Sequence, residues 1–199
     1  MKTILQLNTS LNGEQALSSR LASELSAALA VASGATVVVR DLAGQPLPHL
    51  TAERFAAFVT PVPERTLEQQ RHVAESDALV EELRRADALV IGLPMYNFGV
   101  PSTLKAWFDH VARAGVTFRY TPQGPVGLLG GRKAYVFATR GGRYAGTDGD
   151  LQSAYVRRFL GFIGIDEVEF VYAEGLALGA EPRERAVAEA TSRIRELAA

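Results

Sequence analysis

With 199 residues, 47% of them hydrophobic and 22% charged, the chain is sized for one globular domain, residues 1–199, with a sizeable core. Its formal net charge of −1, with Lys and Arg dispersed, disfavours nucleic acid or an anionic membrane surface as a partner. Cysteine is absent, which excludes disulfides, thiolate nucleophiles and cysteine-held metal centres.

Thr3-Ile4-Leu5-Gln6-Leu7 is short, apolar and followed by Asn-Thr-Ser, the pattern of a buried first strand. The run is too short for a secretory or membrane-spanning segment, so the expected compartment is the cytoplasm. Beyond a polar loop from Ser10 to Gln15, Leu17, Leu21, Leu25 and Leu29 recur at i,i+4 and predict a helix ending near Gly34. Thr36 to Val39 is β-branched and reads as strand two. Asp41 to Pro63 carries four prolines and predicts an irregular excursion with a short helix around Ala52–Val59. A long helix, Glu64 to Arg85, leads into strand three, Ala88 to Gly92.

Pro101 suits the first position of the next helix, whose apolar face carries Leu104, Trp107, Phe108 and Val111. Val116–Tyr120 and Pro125–Leu129, joined by a turn at Pro122-Gln123-Gly124, predict a projecting hairpin. Lys133–Thr139 is strand four, Leu151–Ile163 a helix, Glu167–Tyr172 strand five and Pro182–Leu197 the closing helix. Five apolar strands alternating with helices call for an α/β three-layer sandwich: a parallel sheet covered on both faces. The flavodoxin-like order 2-1-3-4-5 is the arrangement expected for this count.

In such a sheet the ligand crevice lies beyond the carboxyl ends of the strands. Three loops reach it. The first has Thr9, Ser10, Ser18 and Ser19 near a helix amino terminus, a set suited to a phosphate monoester, although Ser18 also reads as a plain N-cap. The second, Pro94 to Pro101, offers Met95, Tyr96, Asn97 and Phe98 as walls for a planar heterocycle, or Met95 and Phe98 as core plugs. The third, Thr139-Arg140-Gly141-Gly142-Arg143-Tyr144, combines close backbone approach with two arginines that oppose negative charge, or is an ordinary turn. Taken together the loops match FMN. No G-x-G-x-x-G or P-loop pattern is present. His49, His72 and His110 show no metal-ligand spacing, so no metal is expected. His110 reads as structural, His49 and His72 as surface or loop residues, and Lys105 with Asp109 as a solvated helix pair.

PMYNFGVPSTLKAWFDHVARAGVTFRYTPQGPVGLL (Pro94 to Leu129), TRGG (Thr139 to Gly142), FLGFIGI (Phe159 to Ile165) and VYAEGLALG (Val171 to Gly179) resemble the FMN-dependent NADH:quinone oxidoreductase family, also called azoreductases. The resemblance implies a homodimer with tightly bound FMN near the interface. It also implies NAD(P)H, with NADH favoured, as reductant and small quinone or azo compounds as acceptors, reduced by two electrons in ping-pong turn. It carries Ser10, Ala16, Leu17 and Ser18 to the FMN phosphate. Met95, Tyr96, Asn97 and Phe98 go to one side of the ring, and Thr139, Arg140, Gly141 and Gly142 to its pyrimidine edge. Phe118 and Tyr120 would line the partner's substrate pocket in a dimer, or else are ordinary strand aromatics packed on their own chain; Tyr144 is an acceptor contact or a solvent-exposed loop residue, and no side chain is a catalytic acid or base. Relatives often have Ser where this chain has Ala16, and His where it has Tyr144. A flavodoxin-type electron carrier, a nitroreductase and a non-catalytic scaffold are the rival readings. The near-neutral charge argues against the carrier, whose docking would need a strongly charged surface.

Overall fold

A computed structural model describes residues 1–198. Five parallel strands form the central sheet: β1 (Thr3–Asn8), β2 (Thr36–Asp41), β3 (Ala88–Pro94), β6 (Lys133–Thr139) and β7 (Glu167–Ala173). Their spatial order is β2-β1-β3-β6-β7, which is 2-1-3-4-5 when the sheet strands alone are counted. A separate antiparallel hairpin, β4 (Phe118–Thr121) and β5 (Gly124–Gly127), precedes β6. The helices are α1 (Leu17–Ser33), α2 (Ala52–Val59), α3 (Leu67–Arg85), α4 (Ser102–Val111), α5 (Leu151–Phe162) and α6 (Ala180–Ala198).

Alternation along the inner strands sorts their side chains into two cores. Leu5, Leu7, Ile91, Val136 and Ala138 pack against Leu79 and Leu83 of α3, Trp107 and Phe108 of α4 and Leu160 of α5. Ile4, Val90, Tyr135 and Phe137 point the other way, onto Leu21 and Leu25 of α1 and Ala190 and Ile194 of α6. All seven residues of β3 are buried, as a middle strand covered on both faces must be.

Element ends shift for local reasons. The predicted helix from Glu64 begins at Leu67, because Val62–Glu64 forms a 3-10 turn and Thr66 closes a capping box with Gln69. Pro101 stands one place outside α4, as its N-cap residue. Strands two, three and five each run on by one or two residues, and α6 starts two residues before Pro182. His110 is buried, its Nε2 3.0 Å from the Pro48 carbonyl and its ring edge-on to Phe58. Burial holds this imidazole below its ordinary pKa. No helix among the described residues is long and apolar enough to cross a membrane.

Candidate functional site

The ladders bring the carboxyl ends of β1, β3 and β6 side by side, with Asn8 opposite Gly92 and Pro94 opposite Thr139. The three loops that leave these ends are bonded to one another. Ser10 Oγ lies 3.1 Å from Tyr96 Oη, which also accepts from the Leu11 N–H at 3.2 Å. Met95 N–H donates to the Thr139 carbonyl at 3.0 Å. The Phe98 and Tyr144 rings meet edge-on with centroids 5.9 Å apart.

Helix α1 opens without a side-chain cap. Its N-cap residue is Ala16, whose methyl group has nothing to offer an amide. Ser18 is therefore not the cap. It lies inside the first turn with Ser19; both are 1% exposed and neither hydroxyl finds a partner. The first backbone amide of this turn to reach an acceptor is that of Arg20, bonded to the Ala16 carbonyl at 3.0 Å. Among the described residues the N–H groups of Leu17, Ser18 and Ser19 have no protein acceptor. The turn packs so close to β3 that a Cβ on Gly92 would sit 2.7 Å from the Ser18 carbonyl oxygen, which only glycine avoids.

The second loop is a two-residue turn closed by mutual Tyr96–Gly99 backbone bonds of 3.2 and 3.0 Å. Its central residues are left-handed, Asn97 with φ 49° and Phe98 with φ 65°, the signs a type I′ turn demands. Asn tolerates this region; Phe does so at a cost of about 1–2 kcal/mol. Phe98 is also 57% exposed, so it is no core plug, whereas Met95 is half-buried. Phe98 thus combines an unfavourable backbone conformation with a place on the wall of a cavity.

The third loop departs from expectation. Arg140 does not present its charge to the crevice: its side chain is fully buried and paired with Asp150 at 2.7 Å and Glu174 at 2.9 Å. Its N–H and carbonyl are also taken, by Ala173 and Leu176. Arg143 extends toward Gly175 instead. Burial would raise the Asp150 carboxyl, but bonds from Arg140 and from Ser153 outweigh it and leave the group below its ordinary value. Glu174 also accepts from the Tyr144 and Ala145 amides at 2.9 and 3.0 Å, which shapes the loop. The N–H groups of Gly141 and Gly142 have no acceptor among the described residues. The Tyr144 ring rests on Gly142, where a Cβ would come within 3.0 Å of its ring carbons.

Of the two readings of Phe118, its surroundings favour packing on its own chain over a place in a partner's pocket. It is 7% exposed, with its ring 4.2 Å from that of Phe162, and so belongs to its own chain's packing. Tyr120 is 73% exposed. A cavity of about 520 Å³ beside the second loop is lined by Phe98, Val100, Lys105, Leu151 and Tyr155 among others. Ser18 and Gly142 are not part of its lining. His49, exposed as expected, also borders it. Lys105 pairs with Asp109 at 2.6 Å, as its spacing implied. At a distant corner Glu53, Glu68 and His72 bring ligand atoms within 4.8 Å, but both carboxylates are exposed and such clusters are common without an ion.

Residues 2–198 match the family model described as Flavodoxin-like fold. A protein of Burkholderia lata named FMN-dependent NADH:quinone oxidoreductase 6 is 53% identical over 195 residues, covering 98% of each chain. The chain belongs to the FMN-dependent NADH:quinone oxidoreductase family. Among solved structures, an azoreductase from Bacillus anthracis superposes with TM-score 0.90 at 29% identity, covering 100% of this chain and 99% of that one. An FMN-dependent NADH-azoreductase from Bacillus anthracis str. Ames Ancestor, solved in complex with FMN, gives TM-score 0.87 at 25% identity over all of both chains.

Proposed function

We propose that the whole chain acts as one FMN-binding unit that oxidises NAD(P)H, NADH preferred, and reduces quinones and azo compounds. The observation that carries this is the start of α1. Among the described residues, three amides without an acceptor lie at the positive end of the helix dipole, and the two serine hydroxyls of the same turn are buried without partners. A doubly charged phosphate satisfies such a turn. FMN, when bound, supplies the two-electron redox chemistry between reductant and acceptor.

The residues divide the remaining work. Ser10, Ser18 and the backbone of Ala16 and Leu17 hold the phosphate. Met95, Tyr96, Asn97 and Phe98 form one wall of the ring's slot, and the left-handed turn projects Phe98 out of the core to do so. Thr139 and the free amides of Gly141 and Gly142 serve the pyrimidine edge, where donors stabilise negative charge that builds up on reduction. Arg140 takes no direct part. NAD(P)H and acceptor use the one crevice in turn, next to Tyr144. In a homodimer the exposed Tyr120 would border the partner's crevice. The compartment we propose is the cytoplasm.

The purified protein should be yellow with a flavin spectrum. It should oxidise NADH with menadione and no protein partner, giving parallel initial-velocity lines. A colourless protein that takes up no added FMN would sink the reading, and intersecting lines would remove the alternating use of one crevice.

A further inference from the structure

The turn at Asn97-Phe98 adopts an unfavourable backbone conformation, and the bonds that hold it there come partly from outside. Beneath it lies Gln152 of α5, 1% exposed. Its Nε2 donates to the Pro94 carbonyl at 2.9 Å and to the Gly99 carbonyl at 3.0 Å. A side-chain amide nitrogen carries two hydrogens, and here each takes one carbonyl. Those carbonyls stand at the entry and the exit of the turn, so one group spans its base.

The orientation of this amide is set from the third loop. Arg140 Nε lies 3.3 Å from Gln152 Oε1, and a guanidinium can only donate. Flipping the amide would turn an oxygen toward two carbonyls and set donor against donor. Arg140 is itself fixed by Asp150, Glu174 and the Ser153 hydroxyl, the last at 2.8 Å. Glu174 in turn holds the Tyr144 and Ala145 amides. One bonded series therefore runs from the loop after β6, through Arg140 and Gln152, to the turn after β3.

We propose that Gln152, seated by Arg140, is a positioning residue that sets the opening between these two loops and thereby the affinity for FMN. The proposal rests on the FMN reading above. Gln152 acts through the turn and not on the reacting atoms. A buried network satisfied at every member is what makes such a setting rigid.

Two variants test it. Q152L keeps most of the volume and removes every bond. Q152E keeps the acceptor for Arg140, removes the two donors and sets a negative charge against the Pro94 and Gly99 carbonyls. For each, the FMN dissociation constant of the folded apoprotein is measured by flavin fluorescence, the visible circular dichroism of the bound flavin is recorded, and the apoprotein melting temperature is followed. Both variants should bind FMN at least tenfold more weakly, about 1.4 kcal/mol, with an altered dichroic spectrum. Dissociation constants within twofold of wild type and an unchanged spectrum would overturn the proposal, even if melting falls, because that result assigns Gln152 to stability alone. Should Q152L fail to fold, Q152M, neutral and of similar volume, takes its place under the same criteria, and Q152E counts only alongside a neutral variant because its added charge also opposes the FMN phosphate. A wild-type protein that takes up no FMN overturns the underlying reading, whereas a binding wild type with equal variants overturns only this proposal.

Discussion

Two long helices of this chain begin in opposite ways. At α3, Thr66 accepts from the Gln69 amide at 3.2 Å and Gln69 returns a bond to the Thr66 amide at 3.0 Å. At α1 the N-cap is Ala16, and among the described residues three amides have no acceptor and the buried Ser18 and Ser19 hydroxyls have no partner. Both sites carry the same kind of backbone orphan, because every helix leaves its first amides unpaired. At α3 the sequence resolves them internally. At α1 it withholds the one side chain that would, and buries two extra donors beside them. The difference separates a helix start completed by its own side chains from one that is not, which the proposed function assigns to an anion.

The strongest way to break this comparison is to give α1 what α3 already has. Ala16→Asp places a carboxylate where it accepts from the first-turn amides, and a cap of this kind contributes about 0.5–2 kcal/mol. The apoprotein should melt at higher temperature. The same carboxylate occupies the phosphate's donors and repels it across a few ångströms, an interaction of up to about 4 kcal/mol near a protein surface. FMN affinity should fall roughly 100-fold. Stability and cofactor affinity thus move in opposite directions. If both rise together, the start of α1 is not the anion site.

Ser18→Ala is a milder test of the same end. In the protein alone this hydroxyl has no partner, so its removal should leave apoprotein melting unchanged or slightly raised. A hydrogen bond to a charged group is worth about 1.5–3 kcal/mol, so FMN should bind at least about tenfold more weakly. Equal affinities for Ser18→Ala and wild type, measured by titrating apoprotein with FMN, would show that the hydroxyl does not reach the phosphate.

The fold was legible because its signals are local. An apolar run bounded by breakers placed Lys133–Thr139, and an i,i+4 stripe placed α1. The site was legible only as a set of loops. Ser18 reads equally as cap or ligand because both roles use the same hydroxyl; only the coordinates show that Ala16 holds the cap position. Phe98 looks like core because apolar character says nothing of a left-handed backbone that turns it outward. Arg140 looks like a ligand for negative charge because its partners, 10 and 34 residues away, are brought to it only by folding. Asp150 and Ser153, spaced as a helix cap, were a visible hint of that network. Phe118 and Tyr120 share strand parity, yet only Phe118 lies at the hairpin base, on Phe162, while Tyr120 extends beyond it.

The smallest effect comes from the other helix, and it makes the contrast specific. Thr66→Ala removes the acceptor for the Gln69 amide and half of the capping box. The loss should be about 1 kcal/mol, or a fall of roughly 2–4 °C in melting temperature for a chain of this size. Apo- and holoprotein should lose the same amount, because α3 starts at a corner shared with α2, and the FMN dissociation constant should stay within twofold of wild type. A Thr66→Ala protein that binds FMN more weakly would mean that any loosened helix start is felt at the crevice. The Ala16 and Ser18 results would then report general stability, and the asymmetry between the two helices would lose its functional meaning. Unchanged binding with lowered melting is the outcome that confines cofactor recognition to α1.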